Sequence, residues 1–194
     1  MTGTPGLILA GGSSRRMPGA SKLERDWGDT SVLGAVVRVA RAAGLRPVVV
    51  VCRTDVSCPA AAAAADARVS APPGGGRADS LAAGLGALPP GPVVVLLGDE
   101  PGVRSEVVSV LAERCREEEV DAGRVRYGDR AGHPVWLGPA ARERAAGLTG
   151  DASVWDAVAR PPLRLLELEI EGPAPIDVDT PAALARARRR RGGA

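Results

Sequence analysis

Short, wholly apolar runs recur along this chain and alternate with longer stretches of helical period. The runs Gly6–Ala10, Val48–Val51 and Val93–Leu97 are each bounded by glycine, proline or polar residues. A continuous apolar run of this length is typical of a strand that is covered on both faces. Between the first two runs, apolar residues at positions 32–43 recur at helical spacing and predict a helix that ends at Gly44. The chain therefore begins as a strand–helix–strand unit of a parallel sheet.

The rest of the chain continues this alternation of strands and helices. Further strands are predicted at Val69–Ala71, Arg124–Tyr127, Pro134–Leu137 and Leu163–Ile170. Further helices are predicted at Pro59–Ala67, from a cap at Asp79 or Ser80 to about Leu88, at Ser105–Cys115, at Ala140–Ala146, at Ala152–Ala159 and from Thr180–Pro181 onward. This order predicts an α/β fold: a single three-layer Rossmann-like domain with a mainly parallel twisted sheet.

Length, composition and charge narrow the class of protein. The 194 residues suit one domain, which we place at residues 1–187, followed by a basic and flexible tail at 188–194. A formal net charge of +2 and 2% aromatic residues give little for a nucleic acid to bind, so no nucleic-acid partner is expected.

Two further observations concern the location of the protein. No apolar run approaches the roughly 20 residues that cross a bilayer, and no membrane partner is expected. Cys52, Cys58 and Cys115 are odd in number and lack metal-ligand spacing, so we expect reduced thiols in a cytoplasmic protein.

The first predicted strand leads into a loop that is rich in glycine and positive charge. In Leu9–Lys22 two glycines are followed by Arg15, Arg16 and the only lysine of the chain, Lys22. Glycine backbone lets a phosphate approach closely, and Arg and Lys neutralise its charge. The loop matches neither the P-loop nor the dinucleotide pattern. A flexible basic turn without a ligand is the alternative.

Carboxylates follow the third apolar run, at the edge of the sheet where α/β proteins bind ligands. Asp99 is well placed to offer oxygen to Mg²⁺, which takes one or two carboxylates together with substrate phosphates. Glu100 points to the opposite side if the chain stays extended. Alternatively, Asp99 only caps a turn before Pro101.

A second acidic pair and the only histidine lie further along the chain. Asp177 and Asp179 share one face of an extended segment, and they either complete a metal site, hold a substrate or cap the helix that follows. His133 has no accompanying nucleophile motif, so we interpret it as a substrate contact rather than a general base.

Taken together, these motifs resemble the MobA/MocA-like nucleotidyltransferases over nearly the full length of the chain. Leu9–Met17 with Lys22–Leu23 resembles the signature loop of that family, and Leu96–Pro101 resembles its metal-binding strand end. Gly132–Val135 and Asp177–Pro181 resemble its downstream motifs, in the same order along the chain.

The resemblance implies a fold, a reaction and a set of site residues. The fold would be that of the nucleotide-diphospho-sugar transferases. CTP or GTP would be cradled by the loop, with Mg²⁺ on Asp99, and the acceptor would be a phosphorylated small molecule of the molybdopterin type. We expect Asp179, or alternatively Asp177, to complete the metal site. The implied residues are Arg16, Lys22 and Asp99 for catalysis; Leu9, Ala10, Gly11, Gly12, Ser13, Arg16, Lys22, Arg77 and Ser80 for the nucleotide; and His133 and Asp177 for the acceptor.

The subfamily motifs leave the base open. Gly132–Val135, Trp27–Asp29 and the Asp-x-Asp-Thr-Pro ending resemble molybdenum cofactor cytidylyltransferase, whose product goes to a molybdoenzyme. Ala10–Gly12 is closer to the guanylyltransferases, and Pro18 stands where the family has glycine. The alternatives are transfer to a sugar or methylerythritol phosphate, and a maturation protein that binds nucleotide or cofactor without turnover. A glycosyltransferase fits less well, because no Asp-x-Asp stands at the central strand end.

Overall fold

A computed structural model describes residues 3–12, 21–54 and 60–192, and these residues form one α/β unit. Its strands are β1 (Gly6–Leu9), β2 (Val48–Arg53), β3 (Ala67–Ala71), β4 (Val93–Leu97), β5 (Ala122–Tyr127), β6 (Ala131–Leu137) and β7 (Leu165–Ile170). Its α-helices are α1 (Val32–Ala42), α2 (Arg77–Gly86), α3 (Ser105–Glu117), α4 (Pro139–Ala146), α5 (Val154–Val158) and α6 (Pro181–Gly192). Short 3₁₀ helices lie at Lys22–Glu24 and Ala60–Ala64.

The strands form a single sheet in the order β3-β2-β1-β4-β6-β5-β7. Strands β3, β2, β1 and β4 run parallel to one another and make up what we call the parallel half. In the other half, which we call the mixed half, β6 is antiparallel to both β4 and β5, and β7 is parallel to β5. The carboxyl ends of β1, β2, β4, β5 and β7 and the start of β6 therefore lie at the same edge of the sheet. The predicted α/β class and the mainly parallel sheet are confirmed.

Helices cover both faces of the sheet, which explains the apolar runs in its central strands. One face packs against α1, α3 and α6, and the other packs against α2, α4 and α5. Alternate residues of one strand serve the two cores: Ile8 and Val50 belong to the first, whereas Leu7 and Val51 belong to the second. With both cores filled, β1, β2 and β4 are buried almost throughout. This is the three-layer arrangement expected from the sequence.

Most of the predicted helices agree with the structure to within two residues, and two differ more. Helix α2 begins at Arg77 because Asp79 caps it from inside the first turn, where its carboxylate accepts a hydrogen bond from the Gly76 amide at 2.6 Å. The cap predicted at Asp79 or Ser80 is therefore wrong by three or four residues, because the N-cap is Gly76. In the alanine run the described residues form the 3₁₀ helix at 60–64 rather than an α-helix.

The basic C-terminal stretch continues α6 as far as Gly192, so the expected boundary at 187 falls inside a helix. Arg188 and Arg191 donate to the backbone carbonyls of Asp26 and Trp27 and fasten the end of the helix to the segment before α1. Residues 193–194 lie outside the described part of the chain.

The cysteines and the membrane expectation can also be compared with the structure. Cys115 is a buried free thiol, as expected, but Cys52 is disulfide-bonded, so the expectation of three reduced thiols is wrong for Cys52. Three cysteines cannot all form disulfides within one chain, but two of them can. Among the described residues there is no helix with the length and apolar character that crossing a membrane requires.

Candidate active site

A cleft of about 700 Å³ opens at the edge of the sheet where the parallel strands end. Residues from distant parts of the chain meet in its walls because each follows or precedes a strand at that edge. They include predicted site residues from every motif, namely Leu9, Gly11, Gly12, Lys22, Arg77, Ser80, Asp99, His133, Asp177 and Asp179. Ser13 and Arg16 lie outside the described residues, and Ala10 is buried beside the cleft.

The parallel half contributes a wall of glycines and the start of α2. A Cβ atom on Gly11 would lie 3.1 Å from both Ser80 Oγ and Arg53 Cγ, and one on Gly12 would lie 3.3 Å from Lys22 Cε. The backbone at Gly11 and Gly12 thus lies so close to neighbouring side chains that a larger residue would be tightly packed at either position. The first amides of α2 are already engaged within the protein: Gly76 donates to Asp79, and Ala78 donates to Gly150 O at 2.9 Å. A phosphate would therefore meet the Arg77 side chain and Ser80 rather than a free helix end.

Lys22 lies in the centre of the cleft between two carboxylates. It begins the 3₁₀ helix Lys22–Glu24, is 6% exposed, and donates from Nζ to Asp99 Oδ2 at 2.5 Å and to Asp179 Oδ1 at 2.6 Å. Burial alone would lower the pKa of Lys22, but the carboxylates of Asp99 and Asp179 outweigh it and raise the pKa above its ordinary value. Lys22 therefore stays fully charged at neutral pH.

Two segments fix the carboxylates that contact Lys22. Asp99 follows β4 in a turn, and its carbonyl accepts a hydrogen bond from the Val178 amide at 2.9 Å. This bond ties the turn to the segment that carries Asp177 and Asp179. Thr180 then caps α6, since its Oγ1 accepts from the Ala183 amide at 3.1 Å.

The donor set at this point suits a divalent cation bound together with phosphates. No group of three His, Cys, Asp or Glu side chains with the spacing of a metal site occurs in the described part of the chain. Two carboxylate oxygens nevertheless converge on one atom, Lys22 Nζ. A pair of carboxylates with further ligands from the substrate is what Mg²⁺ prefers, so Asp99 and Asp179 fit the ion that the sequence implies.

The mixed half, together with Glu100 after β4, contributes a second wall of titratable side chains. Arg130 Nη2 lies between two carboxyl groups, 3.6 Å from Asp177 Oδ1 and 3.8 Å from Glu100 Oε1. His133, at the start of β6, is placed by Tyr127, whose hydroxyl donates to the His133 carbonyl at 3.0 Å. We call Glu100, Arg130, His133 and Asp177 the acidic wall.

Burial shifts the pKa of two groups in this wall. Glu100 is 2% exposed, and burial, then the neighbouring Asp177 carboxylate, raise its pKa well above the ordinary value. Burial lowers the pKa of His133 to about 4, although the nearby Asp177 carboxylate opposes the shift. At neutral pH His133 is therefore an uncharged imidazole.

Glu100 was expected on the opposite side only if the chain stayed extended, and that condition is not met; several other cleft residues were not predicted. Glu100 lines the same cleft as Asp99, because the chain turns after β4 (the Glu100 amide donates to Leu97 O at 3.3 Å) and strand alternation no longer applies. Arg53, Arg124, Arg130 and Trp155 also line the cleft, and the Arg124 guanidinium stacks 4.3 Å from the centre of the Trp155 ring. The position of Arg130 just before β6 is the only sequence signal that could have found it.

The fold and this cleft define an α/β protein of the nucleotidyltransferase class. Residues 6–165 match the family model of the MobA-like NTP transferase domain, and the chain therefore belongs to that family. A search of curated protein sequences finds no significant match.

Solved structures agree with this assignment. Rv0371c from Mycobacterium tuberculosis H37Rv is 30% identical, with a TM-score of 0.85 over 97% of this chain and 99% of that one. In its complex with manganese the same protein gives 28% identity and a TM-score of 0.79 over the same shares.

More distant structures show the fold alone. Molybdopterin-guanine dinucleotide biosynthesis protein A from Archaeoglobus fulgidus is 18% identical, with a TM-score of 0.73 over 98% of this chain and 100% of that one. 2-C-methyl-D-erythritol 4-phosphate cytidylyltransferase from Thermus thermophilus is also 18% identical, with a TM-score of 0.72 over 97% and 98%. The chain thus has the nucleotide-diphospho-sugar transferase fold that the sequence implied.

Proposed function

We propose that this protein is a Mg²⁺-dependent nucleotidyltransferase that moves CMP, or GMP, from the nucleoside triphosphate to a phosphate of a molybdopterin-type cofactor and releases pyrophosphate. The observation that carries the proposal is the contact of Lys22 with both Asp99 and Asp179 in the cleft of a MobA-like domain. Lys22 is separated from these carboxylates by 77 and 157 positions, so the fold itself brings the cation and the two anions together.

The parallel half is suited to the triphosphate. Gly11 and Gly12 leave backbone exposed without a Cβ, and Arg77 and Ser80 line the same wall. Lys22 contributes a compact positive charge at the end of this wall, and an ammonium on a flexible stem can follow phosphate oxygens as their charge changes. We expect Arg16 to add a second positive charge from the same loop.

The reaction we infer is an in-line displacement at the α-phosphorus of the nucleotide. A phosphate oxygen of the acceptor forms the new bond to the α-phosphorus, the bond from that phosphorus to the bridging oxygen breaks, and pyrophosphate leaves with the electron pair. The protein positions the two phosphates and neutralises their charge, which accounts for most of the catalysis in reactions of this class. We assign to Lys22 the neutralisation of negative charge on the phosphates.

Asp99 and Asp179 would hold the Mg²⁺ ion, and the ion would supply further neutralisation of phosphate charge. The manganese complex of Rv0371c supports a divalent cation in a related protein. In this chain the two carboxylates already contact a cation, Lys22 Nζ, so the site is built for positive charge whether the ammonium or a metal ion provides it.

The acceptor would lie against the acidic wall of the mixed half. His133 and Asp177, which the family resemblance assigns to the substrate, both line the cleft there. The cytidylyltransferase-like motifs support CTP, whereas Ala10–Gly12 supports GTP. We infer that the product passes to a molybdoenzyme. A cytoplasmic location also stays a prediction, and the disulfide at Cys52 counts against the thiol observation on which it was based.

Pyrophosphate release is the test of this function. The purified protein is incubated with Mg²⁺, molybdopterin and either CTP or GTP, and we expect release with one base only when molybdopterin is present. Release with a sugar phosphate or methylerythritol phosphate, but not with molybdopterin, would show that the acceptor is wrong. An absence of release with every acceptor and both bases would favour the maturation protein that binds without turnover.

A further inference from the structure

Arg124 is a cleft residue whose guanidinium group is held on one edge by a carboxylate of the protein. It lies on β5 directly opposite Glu167 on β7, and its Nε atom donates to Glu167 Oε1 at 2.5 Å. The Nη2 atom contacts the same oxygen. The edge of the guanidinium that carries Nε and Nη2 is therefore occupied within the protein.

The indole ring of Trp155 covers one face of the same guanidinium. The central carbon of Arg124 lies over this ring, 4.3 Å from its centre. A planar cation is attracted to an aromatic face, and the stack restricts rotation of the side chain. With one edge and one face engaged, the group is oriented in advance, which lowers the cost of ordering it on a ligand.

A second edge of the guanidinium, formed by Nη1 and Nη2, is left open. No hydrogen bond involves Nη1 in the part of the chain that the structure describes, and the Arg124 side chain is 21% exposed. Two parallel N–H groups on such an edge match two oxygens of a phosphate. The open edge is therefore suited to a bound oxyanion.

Glu167 neutralises the charge of Arg124 only in part. Its other oxygen, Oε2, accepts a hydrogen bond from Arg126 Nε at 2.8 Å, so one carboxylate serves two guanidinium groups. Glu169 lies 3.7 Å from Arg126 Nε, but its side chain is 73% exposed, and water screens its charge. The positive charge that remains around Arg124 favours an anion at the open edge.

The position of Arg124 in the sheet indicates which anion this is. Three strand spacings of about 4.8 Å separate β5 from β1, so Arg124 projects from a strand about 14 Å away from the one that leads into Gly11 and Gly12. The glycine wall is the part of the cleft to which we assign the triphosphate. A phosphate on Arg124 would therefore belong to the other substrate.

We propose that the open edge of Arg124 binds the phosphate group of the acceptor, and that Trp155 and Glu167 are the residues that position it. The fork would hold two terminal oxygens of a phosphate monoester and leave the third for the new bond to the α-phosphorus. That the acceptor carries a phosphate rests on the proposed function. The body of the acceptor does not enter the inference.

The experiment uses two phosphate monoesters with different bodies, 6-hydroxymethylpterin phosphate and methylerythritol phosphate. Each is compared with its parent alcohol by calorimetry, with Mg²⁺ and a non-hydrolysable CTP analogue present to occupy the nucleotide site. The measured quantity is the ratio of the affinities of ester and alcohol. For the body that the acceptor site accepts, we expect the wild-type protein to bind the ester roughly a hundredfold more tightly.

Three variants separate the open edge from the ion pairs around it. Arg124→Gln should lower the ratio by roughly tenfold, and Arg124→Lys, which keeps the charge but not the fork, should recover only part of that loss. Arg126→Gln is the matched control, because Arg126 lies on the same strand and shares Glu167 but is not among the described residues that line the cleft. It should keep the full ratio, while the midpoint of thermal unfolding changes alike in Arg124→Gln and Arg126→Gln.

The remaining outcomes overturn the inference. A ratio that depends on Arg124 for neither ester would mean that this residue does not bind the acceptor phosphate. An equal loss in Arg126→Gln, or full recovery in Arg124→Lys, would assign the effect to general charge rather than to the open edge.

The body of the acceptor is scored separately from the role of Arg124. Dependence on Arg124 with methylerythritol phosphate alone would support the inference and reject the molybdopterin-type acceptor of the proposed function. Pyrophosphate release with molybdopterin, without any effect of Arg124 on the ratios, would support the function and reject the inference.

Discussion

The parallel half and the mixed half of the sheet differ in the burial of their strands and in the side chains that they contribute to the cleft at their common edge. In the parallel half, β1, β2 and β4 are buried on both faces, and four glycines and Ser80 contribute backbone and small side chains to the cleft wall beyond them, beside Arg53 and Arg77. In the mixed half, β5 combines buried with partly exposed positions and β7 has only partly exposed or exposed positions, and paired charges such as Arg124 with Glu167 run between them. The wall beyond these strands is rich in ionisable groups.

This difference matches two kinds of recognition. A triphosphate is the same in every nucleotide, and close backbone approach with a few positive charges is sufficient to bind it. An acceptor differs from one enzyme to another, and hydrogen bonds from fixed side chains distinguish it. Lys22 lies where the two halves meet, because it contacts Asp99 after β4 and Asp179 after β7.

The largest effect should come from removing the charge at this junction. Lys22→Met keeps most of the volume of the side chain but takes away the cation from the phosphates, and we expect turnover to fall by about 10²–10³-fold. Pyrophosphate release measures the loss. The fold should survive, since Asp99 and Asp179 are 21% and 35% exposed and water can screen their repulsion.

An exposed arginine provides the control for this variant. Arg38 pairs with Asp29 on the surface, with a side chain that is 58% exposed, and Arg38→Met should leave turnover unchanged. Turnover within a fewfold of wild type in Lys22→Met would mean that this ammonium does not act on the phosphates.

A smaller effect concerns the pH dependence of stability, to which the mixed half should contribute through His133, the only histidine in the sequence. The folded-state pKa of His133 is about 4, below the ordinary 6.5, so between these values the unfolded chain binds a proton that the folded protein does not. Stability is therefore complete above about pH 6.5 and falls as the pH drops toward 4. His133 is only partly buried, so we expect its share of this loss to be about 1–2 kcal/mol at pH 5.

The free energies of unfolding of the wild type and of His133→Gln are measured in urea at pH 7 and pH 5. The difference between the two proteins gives the contribution of His133 to the loss of stability. Other groups titrate equally in both proteins, so the variant should lose less stability than the wild type between the two pH values. Equal losses of stability in the two proteins would show that the pKa of His133 is not lower in the folded protein than in the unfolded chain.

The two halves also differ in how far the sequence predicts them. Val48–Val51 and Val93–Leu97 are predictable as strands because burial on both faces requires apolar residues at every position. Placing Lys22, Asp99 and Asp179 beyond strand ends was likewise enough to expect them in one site, since parallel strands end at a common edge.

The acidic wall was not predictable in the same way. Its contacts depend on turns: Glu100 enters the cleft because the chain leaves the extended conformation after Leu97. Similarly, Asp177 and Asp179 were expected on one face, but the Asp179 amide donates to the Asp177 carbonyl at 3.0 Å, and Asp177 lies beside Arg130 whereas Asp179 contacts Lys22. Periodicity describes regular strands and helices, and it carries no information on side-chain direction within such turns.

The smallest effect concerns the parallel half alone, where backbone rather than charge shapes the wall. A Cβ atom on Gly76 would lie 2.1 Å from the Gly150 carbonyl oxygen and 2.3 Å from its carbon, so the start of α2 would have to move away from residues 150–151. The Ala78 amide would then lose its bond to Gly150 O, and Arg77 and Ser80 would shift within the cleft. We expect Gly76→Ala to raise the KM for the nucleotide by roughly tenfold, with the KM for the acceptor unchanged.

Gly86 in the same helix is the matched control, because a Cβ atom there would have nothing within 4 Å. Gly86→Ala should leave both KM values unchanged and stabilise the protein by up to about 1 kcal/mol, since alanine is the better helix former. Steady-state kinetics with each substrate varied in turn measures both KM values for the two variants. If Gly76→Ala raises the two KM values together, the wall of the parallel half also shapes the acceptor site, and the division of labour between the halves does not hold. If only the nucleotide KM rises, the backbone contact between α2 and Gly150 belongs to the nucleotide wall alone.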